Sequence, residues 1–159
     1  MALMDAKEYD PRPAQRRLRM IGLAIVAVIL AAAAWWFFRY WPEEQVINKF
    51  FAAVESKDFD KAYGIYNGDP DWKQHPAKYN QYPLSQFVLD WGPSGEYGPI
   101  ISHKIDCATE PKKKDFQSAS GVIVVVTINH RSDSTSLWVE KKSRSITTSP
   151  WTVVCHGPG

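Results

Sequence analysis

Hydrophobic positions follow three different rhythms along the chain. From Met20 to Phe38, nineteen residues (MIGLAIVAVILAAAAWWFF) carry no charge and leave no polar face. At about 1.5 Å of rise per residue, a helix of this run matches a hydrocarbon core of about 30 Å. From Pro42 the rhythm becomes helical. Val46, Ile47, Phe50, Phe51 and Val54 recur at the spacing of one buried stripe, behind a proline and two acids suited to a first helical turn. Glu55-Ser56-Lys57-Asp58 interrupts the stripe, and Asp58 is placed to cap a second helix bearing Phe59, Ala62, Tyr63 and Tyr66. From Ile100 the period is two. Strands are predicted at Ile101–Cys107, Gly121–His130, Thr135–Lys141 and Pro150–His156, joined by polar turns that favour antiparallel pairing. In the first, Ile101, His103, Ile105 and Cys107 share a face.

Between the helical and alternating regions lies a segment, 67–99, rich in proline, glycine and aromatic residues. Leu84–Trp91 reads as a short helix stopped by Gly92-Pro93, and the rest as irregular but packed chain. Its aromatic side chains are too extensive to remain exposed in a soluble domain.

Charge changes the picture by its location. The formal net charge is +2, and Arg12, Arg16, Arg17 and Arg19 crowd the N-terminal side of the apolar run. Residues 1–40 hold six basic and three acidic residues; the remainder hold thirteen and fourteen. The positive-inside rule therefore predicts a cytoplasmic N-terminus and an exported C-terminal part. Trp35, Trp36, Tyr40 and Trp41 fit an outer interfacial belt. A cleaved signal peptide is the rival reading, since Ala31–Ala34 offers small residues. Against it stand the long preceding segment, the aromatic continuation of the run, and the Trp-Trp-Phe-Phe start that cleavage would leave. The chain thus divides into a cytoplasmic segment 1–19, an anchor 20–41 and an exported domain 42–159. A near-neutral exported part gives no support for a nucleic-acid partner.

The two cysteines, Cys107 and Cys155, both fall in the exported part, where an even pair predicts one disulfide. A metal site using both thiols lacks any supporting Cys-x-x-Cys or His-x-x-x-His spacing.

Helices followed by an antiparallel sheet give an α+β domain. The run Phe50-Phe51-Ala52-Ala53-Val54, followed by Lys57-Asp58-Phe59-Asp60-Lys61-Ala62-Tyr63, resembles the opening helices of the nuclear transport factor 2-like (cystatin-like) superfamily. Exported bacterial members of that superfamily often place such a run behind one membrane helix. The resemblance spans about residues 43–156 and is sharp only over those fifteen or so. It implies a long helix in the concave face of a bent sheet, a cone with a pocket. It also implies a choice between isomerases or dehydratases and non-catalytic assembly modules, which fold alone does not settle. The segment 67–99 departs from the simple pattern and is placed to cover the mouth of such a cone.

Chemistry-bearing residues are sparse. His103 is the candidate base, on a strand face that would look into a cone, and it would need an acid neighbour and a pocket. His75, His130 and His156 form no zinc spacing, and no cofactor motif is present. Gly92-Pro93-Ser94-Gly95 lacks the nucleophile-elbow spacing. Asp90, Glu96 and Asp106 are carboxylates with no evident pairing, and Lys112-Lys113-Lys114 reads as a solvated loop. Trp72, Tyr79, Tyr82, Trp91 and Tyr97 are of the residue types that carry binding energy at interfaces, and also of those that fill a small core. The resulting expectation is a single-pass protein of a bacterial inner membrane with a periplasmic, non-catalytic domain. Its expected partners are the lipid bilayer and other membrane or periplasmic proteins, and no cofactor is expected. The alternative is a small-ligand binder or an enzyme of the cone pocket.

Overall fold

The computed structural model describes residues 12–111, 120–151, 153 and 155. Lys112–Lys114 and His156 lie outside the described residues. Contacts divide the chain into two units, with the boundary after Arg39. The first unit holds one helix, α1 (Arg12–Phe38). Its most apolar window has a mean hydropathy of 2.4 and no part of it is buried. This one helix is long and apolar enough to cross a membrane. Trp35 and Trp36 are exposed on it, and the Arg39 guanidinium sits 4.4 Å from the Trp36 ring centre.

The second unit is α+β. Helix α2 (Trp41–Glu55) begins with Pro42, Glu43 and Glu44 in its first turn, as proline geometry and the helix dipole favour. It ends where Lys57 adopts a left-handed φ of 61°. There the amide of Asp58 donates to the Ala53 carbonyl and that of Lys57 to Val54, both at 2.9 Å, closing the helix with a Schellman pattern. Asp58 then caps α3 (Phe59–Tyr66), its carboxylate accepting from the Lys61 amide at 3.2 Å. Two single turns of 3-10 helix, Trp72–Gln74 and Pro76–Tyr79, lead to α4 (Leu84–Trp91), which stops at Gly92.

Four strands follow, β1 (His103–Thr109), β2 (Gly121–Ile128), β3 (Ser134–Glu140) and β4 (Ile146–Thr148). They form an antiparallel meander in the order β1-β2-β3-β4. The inner face of the sheet carries Val122, Val124, Val126, Ile128, Leu137 and Val139, packed against the helices. Phe50 of α2 is the hub of the core. Its ring meets Phe51 and Trp91 at 5.0 Å and Phe87 at 6.1 Å, each edge to face.

Two expectations about the strands are corrected. A bulge between Ile105 and Cys107 shifts the register of β1 on β2, so Cys107 leaves the face it was expected to share with His103. Cys107 pairs with Val125, whereas Ile105 pairs with Val126 of the inner face. The fourth strand is Ile146–Thr148; of the expected Pro150–His156, the described residues 150, 151, 153 and 155 are not strand, and 152 and 154, like 156, lie outside the described residues. The described residues beyond it are irregular and held to the outer face of the sheet at two points. Trp151 packs on Trp138 with ring centres 5.7 Å apart, and Cys155 forms a disulfide with Cys107, Cα atoms 5.8 Å apart. Ile123 lies across from Trp138 and Val125 across from Cys107, and both are buried. Trp138 also lies over Gly121, where no side-chain carbon would fit.

The turn between β3 and β4 is docked on the helices. Glu43, only 4% exposed, is the one buried charged residue among those described, and Arg144 donates to it at 2.5 Å. Gly68 closes the same side: it has a φ of 63°, and an added Cβ would collide with the Ser143 carbonyl. Glu44, next to Glu43, has its carboxyl pushed above the ordinary range, first by burial and then by that neighbouring charge.

Two outcomes follow for stability. Cys155→Ser is expected to lower the unfolding free energy by about 2–4 kcal/mol in urea titration, the range for a native cross-link of this loop size. Arg144→Ala leaves a buried carboxylate unpaired; because Arg144 is itself partly exposed, the expected loss is about 2–3 kcal/mol, at or below the low end for buried pairs. The Glu43→Gln, Arg144→Ala double variant should then lose less than the sum of the singles, as a double-mutant cycle reads directly.

Candidate functional site

His103 has the acid neighbour that a base requires, and both of its ring nitrogens are taken. From β1 it faces α2, whose Asn48, Phe51 and Glu55 lie on one helical face. Its Nδ1 is 2.7 Å from a Glu55 carboxylate oxygen and its Nε2 is 3.0 Å from the Asn48 side-chain oxygen. Its ring stacks on Phe51 with centres 5.0 Å apart. Both nitrogens are thus engaged and one ring face is covered, which makes His103 a tie between helix and sheet. Asp106 is on the outer side of the bulge, accepting from Thr127 at 2.6 Å. His75 and His130 are exposed, and among the described residues no group of three or more metal-ligating side chains occurs.

The aromatic residues singled out in the sequence divide into two groups. Trp72 and Tyr79 pack edge-on against Tyr63, with centres at 4.8 Å and 6.0 Å. Their polar ends are satisfied locally: the Trp72 indole donates to the Asp60 carbonyl at 3.1 Å and the Tyr79 hydroxyl to Asp69 at 2.5 Å. The Asp69 carboxyl is held below its usual range chiefly by that tyrosine hydrogen bond. These two rings extend the core beneath α3.

Tyr82, Trp91 and Tyr97 instead share a cleft of about 370 Å³, closed on one side by Tyr66 and on another by Thr135, Leu137 and Thr148 of the sheet. That size is within the range of small-ligand pockets. Trp91 is the floor, stacked on Tyr97 at 5.8 Å and otherwise buried in the core. Tyr97 is fixed by a 2.8 Å hydrogen bond between its hydroxyl and that of Thr135. Asp90 accepts from the Tyr82 hydroxyl at 2.7 Å through one oxygen and from the Gln86 amide at 2.9 Å through the other. Both Tyr66 and Tyr82 hold their protons to higher pH than a free phenol. Burial is the larger cause in each, followed for Tyr82 by the hydrogen bond to Asp90 and for Tyr66 by the Asp90 charge.

Sequence reasoning missed two contributors. Tyr66 read only as a core position of α3. Asn129, in a left-handed conformation at φ 52°, pins the chain that follows the cleft: its side-chain oxygen accepts from the Ile101 amide at 2.9 Å, and its amide donates to the Pro99 carbonyl at 2.9 Å. Asparagine is the non-glycine residue best suited to that conformation, which was the available signal. Of the expected interfacial residues, Trp41 is exposed, whereas Tyr40 is half-buried against the core of the second unit.

No protein-family model, curated protein or solved structure matches this chain.

The tyrosine shifts fix a pH dependence. A phenol whose pKa is raised on folding is bound by its proton more tightly in the folded state, so its stabilisation is complete below pH 10 and is lost as pH climbs past it. The thermal midpoint is expected to fall more steeply between pH 10 and 11.5 in the native protein than in Tyr82→Phe, as followed by circular dichroism.

Proposed function

We propose that the chain is a single-pass membrane protein with its N-terminus in the cytoplasm of a bacterial cell. Its second unit is an exported, cone-like domain of the nuclear transport factor 2-like kind, working as a non-catalytic accessory or assembly module at the membrane. The observation that carries this reading is α1: a 27-residue helix whose long apolar side chains, Leu18 to Leu30 and Trp35 to Phe38, are exposed. Water does not tolerate such a surface, whereas a bilayer requires it. The arginines on its N-terminal flank support the orientation, and the Cys107–Cys155 disulfide suits an oxidising compartment such as the periplasm. The engagement of both His103 nitrogens and the filling of the core by Phe50, Phe87 and Trp91 favour binding over catalysis.

A second reading, a small-ligand binder, is favoured by the cleft beside Tyr66, Tyr82 and Tyr97. It is compatible with the first, because an anchored module can carry a ligand.

Protease added to spheroplasts is expected to digest the C-terminal unit and to spare an N-terminal tag. Protection of the domain together with loss of the tag would reverse the orientation. Chemical crosslinking in intact cells should produce adducts with other membrane proteins; a monomer alone would remove the accessory-subunit reading.

A further inference from the structure

The lining of the cleft has an unbalanced charge. Asp90 and Glu96 contribute two carboxylates, and no lysine, arginine or histidine lines it. Among the described residues, neither carboxylate forms an ion pair. Asp90 takes hydrogen bonds only from the neutral Tyr82 and Gln86, and Glu96 is bonded only through its backbone carbonyl, which accepts from Arg131 at 3.0 Å. Each Asp90 oxygen thus retains a free lone pair.

The hydroxyl groups point the same way. Tyr82 spends its proton on Asp90, and Tyr97 is paired with Thr135. The Tyr66 hydroxyl has no partner among the described residues and can both donate and accept beside two carboxylates. The cleft therefore combines two uncompensated carboxylates with aromatic faces, beside hydroxyls that can turn to donate or accept. An anionic guest would meet two like charges, and a neutral guest would leave the charge of both carboxylates uncompensated. A cation gains from both the carboxylates and the ring quadrupoles of Tyr66, Tyr82 and Trp91. Tyr97 already accepts such a partner from within the chain, with the Arg131 guanidinium 5.5 Å from its ring centre.

We propose that this cleft binds an organic cation of the alkylammonium class, with Asp90 and Glu96 supplying the counter-charge and Tyr66, Tyr82 and Trp91 the aromatic wall. The proposal deepens the ligand-binding reading and rests on it. A quaternary ammonium group is the member of this class that isolates charge and ring contact, since it has no N–H to donate. Such a group reaches a membrane-anchored protein from two sources, a free solute or the headgroup of a choline lipid, and the chemistry of recognition is the same.

The test uses the full chain in an uncharged maltoside detergent. Choline and its neutral isostere 3,3-dimethyl-1-butanol are titrated separately and followed by calorimetry and by saturation-transfer NMR. Choline is expected to bind about tenfold more tightly than the isostere, a difference within the span of desolvated cation–π contacts. Asp90→Asn and Glu96→Gln, both on exposed residues, should each weaken choline severalfold; the isostere should be unaffected. Should Asp90→Asn fail to fold, Glu96→Gln alone decides the role of charge. Short-chain phosphatidylcholine below its micelle concentration separates the sources: tighter binding than choline assigns a lipid headgroup, and equal or weaker binding assigns a free solute.

Equal binding of choline and the isostere would overturn the cationic assignment while leaving the ligand-binding reading intact. Choline affinity unchanged in both variants would also overturn it. If neither compound binds, the assignment falls. The ligand-binding reading falls with it only when a neutral fragment screen also leaves the Tyr66, Tyr82 and Tyr97 resonances unmoved.

Discussion

A strand that is apolar on both faces has to be covered on both, and β2 imposes that requirement on the whole second unit. Val122 through Val126 are all buried, so neither side of the sheet is open to water. The helices cover one side, with Phe50 as the hub of an edge-to-face aromatic cluster. Among the described residues, the other side has no second layer of helices. The chain beyond β4 takes that role, fixed by Trp151 on Trp138 and by Cys155 on Cys107. The bulge in β1 belongs to the same solution, because without it Cys107 would face the helices and the cross-link would have no outer anchor.

What was legible in the sequence follows from which signals are local. Helix limits were readable because stripe, cap and stop lie within a few residues of one another, as at Asp58 and at Gly92. Three of the four strands were readable, β1 from alternation and β2 from a continuous apolar run. The fourth was misplaced because Trp151, Val153, Val154 and Cys155 make a short apolar run much as a strand does, although Trp151 and Cys155 here belong to chain laid across a sheet rather than paired in it. The register shift at Asp106 left no trace, since a single inserted residue changes no composition. Cysteine pairing was accessible from count and compartment, and the side of the sheet it closes was not.

The aromatic residues illustrate the same limit at the candidate site. Their identity announced a packed or binding surface, but their division depended on partners distant in sequence. Trp72 and Tyr79 meet Tyr63, whereas Tyr97 meets Thr135, 38 residues away. His103 read as a base in search of an acid; Glu55, 48 residues earlier, supplies one. Yet the same helix also supplies Asn48 and Phe51, which occupy the remaining nitrogen and one ring face. A histidine held on three sides orients a helix better than it moves a proton.

The covering of the outer face also bears on how the chain is born. Cys155 is made 48 residues after the cysteine it joins, and Arg144 is made 101 residues after Glu43. Both contacts therefore close late, whatever the rate of synthesis. Until Trp151 and Cys155 have emerged, the face of the meander that carries Ile123, Val125, Trp138 and Cys107 lacks both of these contacts, a surface prone to stick to other chains. Synthesis delivers α2 first and this cover last. The vulnerable interval is therefore written into the order of the elements, and a holding chaperone on the side where the domain folds has a defined patch to guard.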